Sequence, residues 1–160
     1  MKNKTILFLV LGIFVIALLI FFVQSSGANS YENINSVKGD VEIYKSLTCG
    51  CCSVYSQYFN SKTSANVKTS DVQDTSKIKR EYGVPSELES CHTTLIGDYF
   101  VEGHIPLEAV EKLLSERPDI AGIAMPGMPS GSPGMPGGKY GDFVIYAVNR
   151  DGTYDEFMRI

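Results

Sequence analysis

Three thiols stand within four residues in Cys49-Gly50-Cys51-Cys52, and a fourth stands beside a histidine in Cys91-His92. Thiolates bind soft metals and attack disulfides. A cysteine at a helix N-terminus meets the positive end of the helix dipole, which favours the thiolate. Cys49 and Cys52 form the CxxC of a redox loop, while in an exported chain four cysteines also suit two structural disulfides. Cys51 fits neither account well, because a third thiol is surplus to an exchange pair and adjacent cysteines do not readily bridge. Three convergent thiolates suit a metal claw. Metal binding, thiol exchange and structural disulfides all stay open on the spacing alone.

The neighbouring residues extend the candidate site. Gly97-Asp98 favours a tight two-residue turn between Thr93-Thr-Leu-Ile96 and Tyr99-Phe-Val101. Ile96 then faces Tyr99, and a ladder continued to its end sets Cys91 opposite His104, close enough to share a ligand. His104 is read either as that ligand or as a helix-entry residue. His92, one step along, is expected on the other face as a satisfied structural histidine. Thiolates with a histidine suit Cu(I) or Zn(II) rather than Mg or Ca. The C-x-C-C spacing departs from the paired C-x2-C of zinc knuckles. Met125, Met128 and Met135 add thioethers favourable to copper, although each is more readily a loop or packing residue.

These groups need elements to hold them. Val41-Glu-Ile-Tyr-Lys-Ser46 alternates as a strand leading into the cysteines, and Val54, Tyr55, Tyr58 and Phe59 suggest one face of a following helix. Asn66–Val72 reads as a weaker strand, and Asp74 caps a short helix carrying Ile78 and Tyr82 before Gly83. Ser86–Glu89 supports only a turn. Pro106 opens a helix with Leu107, Val110, Leu113 and Leu114 on one face, and Pro118 follows its end. Gly122–Gly141 reads as one long Pro, Gly and Met loop, before a closing hairpin of Phe143–Val148 and Thr153–Met158. Strand, helix, strand, helix, hairpin, helix is the order of an α/β, thioredoxin-like mixed sheet with helices on its faces. Its first strand is expected antiparallel to the first strand of the hairpin, which gathers Cys49, Cys51, Cys52, Cys91 and His104 at one end of the sheet.

The N-terminus bears on location. Lys2 and Lys4 precede Ile6–Val23, eighteen residues without a charged or polar side chain. Such a run spans roughly 27 Å as a helix, close to the hydrocarbon thickness of a bilayer. We expect residues 1–23 to be a membrane anchor with a cytoplasmic basic end, residues 24–38 a linker, and residues 39–160 the copper-binding domain outside the cytoplasm. The rival reading is a signal peptide cleaved near Ser26-Gly27-Ala28, leaving a secreted or periplasmic protein. Without the first thirty residues, 12 Lys and Arg face 18 Asp and Glu. That acidic balance, with no basic run, argues against nucleic acid as a partner.

Tyr44-Lys-Ser-Leu-Thr-Cys-Gly-Cys-Cys52, Gly83-Val-Pro85, Ser90-Cys-His-Thr93, Val101-Glu-Gly-His-Ile-Pro106, Leu113-Leu-Ser-Glu-Arg-Pro-Asp119 and Met125-Pro-Gly-Met-Pro-Ser-Gly-Ser-Pro-Gly-Met135 together resemble the CopG family of exported copper-resistance proteins, over about residues 40 to 150. The resemblance implies a thioredoxin-like fold and copper held by Cys49, Cys51, Cys52 and Cys91, with His104 as an additional ligand. It also implies a part in copper redox handling in the cell envelope, and with it a copper-transfer or redox protein partner. Ser90-Cys91-His92 stands where ordinary thioredoxins carry a proline before the hairpin strand. That removes a backbone surface for extended substrate peptides and supplies a fourth thiol. A membrane-tethered thiol–disulfide oxidoreductase using Cys49 and Cys52 is the alternative function, and a disulfide-stapled partner-binding module the third.

Overall fold

The computed structural model describes residues 31–160 and, before them, Gly12 alone, which is helical. The remainder of the expected anchor and residues 24–30 of the expected linker lie outside the described residues. No helix among the described residues is long and apolar enough to cross a membrane.

The described body is a mixed α/β fold around one seven-stranded sheet. A helical turn, α1 (Glu32–Asn35), precedes β1 (Val41–Ser46), α2 (Gly50–Lys62), β2 (Val67–Val72) and α3 (Ser76–Glu81). A 3-10 turn at Ser86–Leu88 leads to β3 (His92–Ile96) and β4 (Tyr99–Glu102), then α4 (Leu107–Glu116), β5 (Gly122–Ala124), β6 (Val144–Val148) and β7 (Tyr154–Arg159). The strands lie in the order β2-β1-β3-β4-β5-β6-β7. β1 runs parallel to β2 and antiparallel to β3. The hairpin has the register its turn dictates, Ile96 opposite Tyr99 through to Thr93 opposite Glu102.

Alternation along the strands divides the core. Ile43, Ile96, Val101, Ile123 and Ile145 pack with Ile34 of α1, Tyr55 and Phe59 of α2, and Leu107, Val110 and Leu113 of α4. Their strand neighbours Phe100, Ala124 and Val148 point the other way, into a smaller cluster with Val84 and Leu88 after α3. Successive strand residues face opposite sides, so the sheet is covered on both.

Three expectations need correcting. Gly122–Ala124 is not loop but β5, parallel to β4 and antiparallel to β6, and it joins the closing hairpin to the main sheet. The buried face of α2 is Cys52, Tyr55 and Phe59, whereas Val54 is half exposed. Spacings of three and four share a helical face, and an adjacent residue is turned about a quarter circle away. The segment expected as linker also contributes to the folded body from Tyr31 onward. Ile34 is fully buried, and the Glu111 carboxylate of α4 accepts the backbone N–H groups of Asn33 at 2.8 Å and Ile34 at 3.0 Å.

Candidate metal centre

β1 delivers the chain to Thr48, and Cys49 is the N-cap of α2, with Cys51 and Cys52 in its first turn. Cys91 immediately precedes β3, which β1 pairs, so it arrives beside that turn. The sulfurs of Cys49, Cys51, Cys52 and Cys91 all lie within 4.8 Å of one another. Cys49 and Cys52 are joined as a disulfide, while Cys51 and Cys91 are free. Cys51 Sγ lies 3.5 Å from Cys49 Sγ. The four groups expected as thiolates are therefore gathered, with two of them oxidised to one another.

A second constellation overlaps the first. Cys52, Cys91, His92 and His104 each place a donor atom within 4.8 Å of the others. Cys91 Sγ lies 3.0 Å from His104 Nε2 and 3.5 Å from His92 Nδ1. His104 thus meets Cys91 as the hairpin arithmetic anticipates, although the ladder itself ends at Thr93 and Glu102. His92 departs from expectation, because its ring is 4.8 Å from that of His104. Alternation separates His92 from its neighbours only inside a strand, and both ends of the hairpin leave strand geometry here. Cys91 lies before β3, and Gly103, at φ +87°, turns the chain after β4 so that His104 comes round to the side of His92. A Cβ on Gly103 would lie 2.7 Å from Met125 O and 2.8 Å from Ser90 Cβ, so this turn requires glycine.

The floor of the site is Tyr55. Its ring centroid is 4.4 Å from that of His92 and 5.6 Å from that of His104, and its hydroxyl donates to Ile105 O at 3.0 Å. Both histidines are buried. Burial drives the His92 pKa well below its ordinary value, with the neighbouring His104 and Lys79 acting in the same direction, and burial also lowers that of His104. Both rings are neutral near pH 7, the state that can donate a lone pair. Burial, followed by the proximity of Cys51, pushes the Cys91 thiol up to about 11. His92 Nε2 is buried without a hydrogen-bond partner, so it is not the satisfied structural histidine expected. A buried imidazole whose Nδ1 lies beside a free thiol and whose Nε2 lacks a partner, next to a second neutral imidazole, fits a soft cation.

Further groups support these donors. The Glu102 carboxylate is fully buried. It pairs with Lys79, accepts from Thr93 Oγ1 at 2.6 Å, and accepts the Ser90 N–H at 2.6 Å. Burial pushes its pKa upward against the pull of those donors. Glu102 was accessible through the same register arithmetic that paired Cys91 with His104, whereas Lys79 had no signal in a six-residue helix. Pro133 O accepts from His104 Nδ1 at 2.7 Å, which no sequence pattern announces. Among the methionines, Met125 is packed in the core, Met128 is half exposed and Met135 is partly buried in the same loop. An open groove of about 620 Å³ lined by Asn33, Asp98, Tyr99 and Arg117 lies at the turn end of the hairpin and shares no residue with the cysteines.

A family model described as protein of unknown function, DUF411, matches residues 88–135, the span carrying Cys91, His92, His104 and the loop. Two solved structures resemble the chain. Copper resistance protein CopG, form 1, is 33% identical, with 76% of this chain and 96% of that one covered at a TM-score of 0.68. Form 2 of the same protein is 34% identical, with 76% and 97% covered at a TM-score of 0.69. No curated protein matches the chain.

Proposed function

The chain belongs to the CopG family of copper-resistance proteins, and from that premise we propose that it binds Cu(I) in a cysteine cluster on the extracytoplasmic side of a membrane, as part of copper resistance. One observation carries the reading: four cysteine sulfurs within 4.8 Å of one another, overlapping a set in which Cys52 and Cys91 meet two neutral histidines. Soft thiolates with imidazole are the donors Cu(I) prefers. The ligands in this reading are Cys49, Cys51, Cys52, Cys91 and His104, with His92 added by its place in the second set, its Nδ1 3.5 Å from Cys91 Sγ. Copper is cargo here. Uptake by all four cysteines requires the Cys49–Cys52 disulfide to be reduced first, two thiols of an external reductant becoming a disulfide as Cys49 and Cys52 become thiols. The parallel β1-α2-β2 unit beside the β3-β4 hairpin and α4 supports a thioredoxin-like description of the scaffold. The apolar run Ile6–Val23 supports a membrane anchor.

The disulfide favours a second reading, a tethered thiol–disulfide oxidoreductase in which Cys49 and Cys52 cycle and Cys51, 3.5 Å from Cys49, or Cys91 resolves. Titration of the reduced, detergent-solubilised chain with Cu(I) against a competing chelator, without oxygen, separates the two. The copper reading expects chelator-resistant uptake with loss of all four reactive thiols, and a lower copper content in Cys51→Ser. Four thiols still reactive at full chelator competition, with an unchanged reduction potential in Cys51→Ser, would establish the exchanger instead.

A further inference from the structure

The Pro, Gly and Met loop between β5 and β6 lies on the thiol site. Gly134 packs on the first turn of α2 so closely that a Cβ there would stand 2.8 Å from Tyr55 N and 2.9 Å from Cys51 O. Its φ of +84° is a second reason for glycine. Beside it, Pro133 O is 2.7 Å from His104 Nδ1. The loop is braced internally, with Ser132 N donating to Pro129 O, Gly131 N to Pro136 O and Met135 N to Ser132 O. It is pinned a second time where Ser90 Oγ donates to Gly127 O at 2.7 Å, one residue before Cys91.

A carbonyl oxygen can only accept, so the proton of the neutral His104 ring resides on Nδ1 and Nε2 holds a lone pair. That lone pair faces Cys91 Sγ at 3.0 Å and accepts the thiol hydrogen. A ring with the opposite tautomer would present N–H to the sulfur and could not ligate through Nε2. In metal sites, the partner of the second ring nitrogen fixes tautomer and orientation, and its loss costs about 10–100-fold in affinity.

We propose that residues 129–136 form a strap that sets His104 as an Nε2 ligand through the Pro133 carbonyl, and that Gly134 is the positioning residue that lets the strap reach it. The proposal rests on the copper reading for its consequence but not for its geometry. Gly134 has no side chain with which to ligate. It brings Pro133 into range by allowing backbone to lie against backbone over Cys51 and Tyr55.

The test uses the reduced, metal-free full chain in detergent and has two readouts. Nitrogen-15 correlation spectra of the His104 ring should show a proton on Nδ1 and none on Nε2 in the unaltered chain. In Gly134→Ala the signals should move toward a mixture of tautomers, and Cu(I) affinity by chelator competition should fall at least tenfold. Gly141→Ala is the control, because Gly141 has a similar φ of +74° with nothing within 4 Å of an added Cβ. It should keep both tautomer and affinity. Ser90→Ala, which frees the second pin while leaving the α2 contact alone, should give a smaller change in the same direction. An Nε2-protonated His104 in the unaltered chain overturns the proposal, as does a Gly134→Ala chain with unchanged tautomer and affinity within twofold. A chain that takes up no Cu(I) overturns the copper reading and the strap's role in metal retention, and the ring spectra then still decide the tautomer.

Discussion

Cys91 is free and partly buried, and burial followed by the neighbouring Cys51 holds its proton more tightly than in an exposed thiol. With the pKa pushed up to about 11, only a small fraction is thiolate near pH 7. Alkylation of Cys91 in the metal-free chain, followed by mass spectrometry, should quicken about tenfold per pH unit from 7 to 10. A rate already level by pH 9 would mean that the surroundings stabilise the thiolate, against the dominance of burial. The buried Lys79–Glu102 pair makes a different demand at the same scale. Lys79→Met leaves a buried carboxylate without its cation and should cost about 3–5 kcal/mol in urea unfolding. Adding Glu102→Leu should recover only part of that loss, because it removes the unpaired buried charge but takes the acceptor from the Ser90 N–H and Thr93 Oγ1. A double variant as unstable as the single one would place the defect in Lys79 packing instead. This pair also anchors the site, since the carboxylate that meets Lys79 holds the Ser90 N–H next to Cys91.

At the scale of elements, α1 is one helical turn, too short to persist alone, and its order comes from α4. The Glu111 carboxylate takes the N–H groups of Asn33 and Ile34 together with Asn33 Nδ2 at 2.7 Å, satisfying donors that a helix start leaves open. Glu111→Ala should therefore lower stability by about 1.5–3 kcal/mol, the range for hydrogen bonds to a charged group. Amide exchange at Asn33 and Ile34 should accelerate more than exchange in β3, and equal acceleration in both would indicate global loosening instead. Such long-range contacts are what spacing cannot show. The hairpin register was legible because Gly97-Asp98 is a local signal, and α4 because its apolar face repeats for ten residues. By contrast β5 has only three residues, and pairing with β4 and β6 defines it. The donors were legible by type, and Cys91 and His104 by pairing. His92 was misplaced because alternation fails at a strand start, and Pro133 because it acts through a backbone carbonyl.

For the molecule as a whole, burying two neutral histidines ties stability to pH. The folded pKa values of His92 and His104 are both lowered, so below about 6.5 the unfolded chain binds protons that the folded chain refuses. The stability from neutral burial is fully present above that value and is lost as pH falls from it toward the depressed folded values. Each ring contributes a slope of up to ~1.4 kcal/mol per pH unit. His92 is faced by His104, the Cys91 thiol, the Tyr55 ring and the charge of Lys79, and after burial itself His104 and Lys79 are the groups that oppose a protonated ring. Glu102 works in the opposite sense. Its carboxyl is raised above 4.5, so its protonation increasingly favours the folded state at the acid end. The surface carboxylates Asp40, Asp74, Asp151 and Glu156 are lowered instead and lose their contributions only in more acidic solution. Between pH 7.5 and 5.5 the histidines therefore dominate, and the urea midpoint of the metal-free chain should stay nearly level down to about 6.5 and fall from there to 5.5. His92→Phe should flatten the fall, and the His92 ring should remain neutral by nitrogen-15 spectra at pH 5.5. A midpoint constant from 7.5 to 5.5, or a ring that titrates near 6.5, would show that protons and water reach this cluster. The same experiment thus reports whether the metal centre is sealed within the fold or open at its surface.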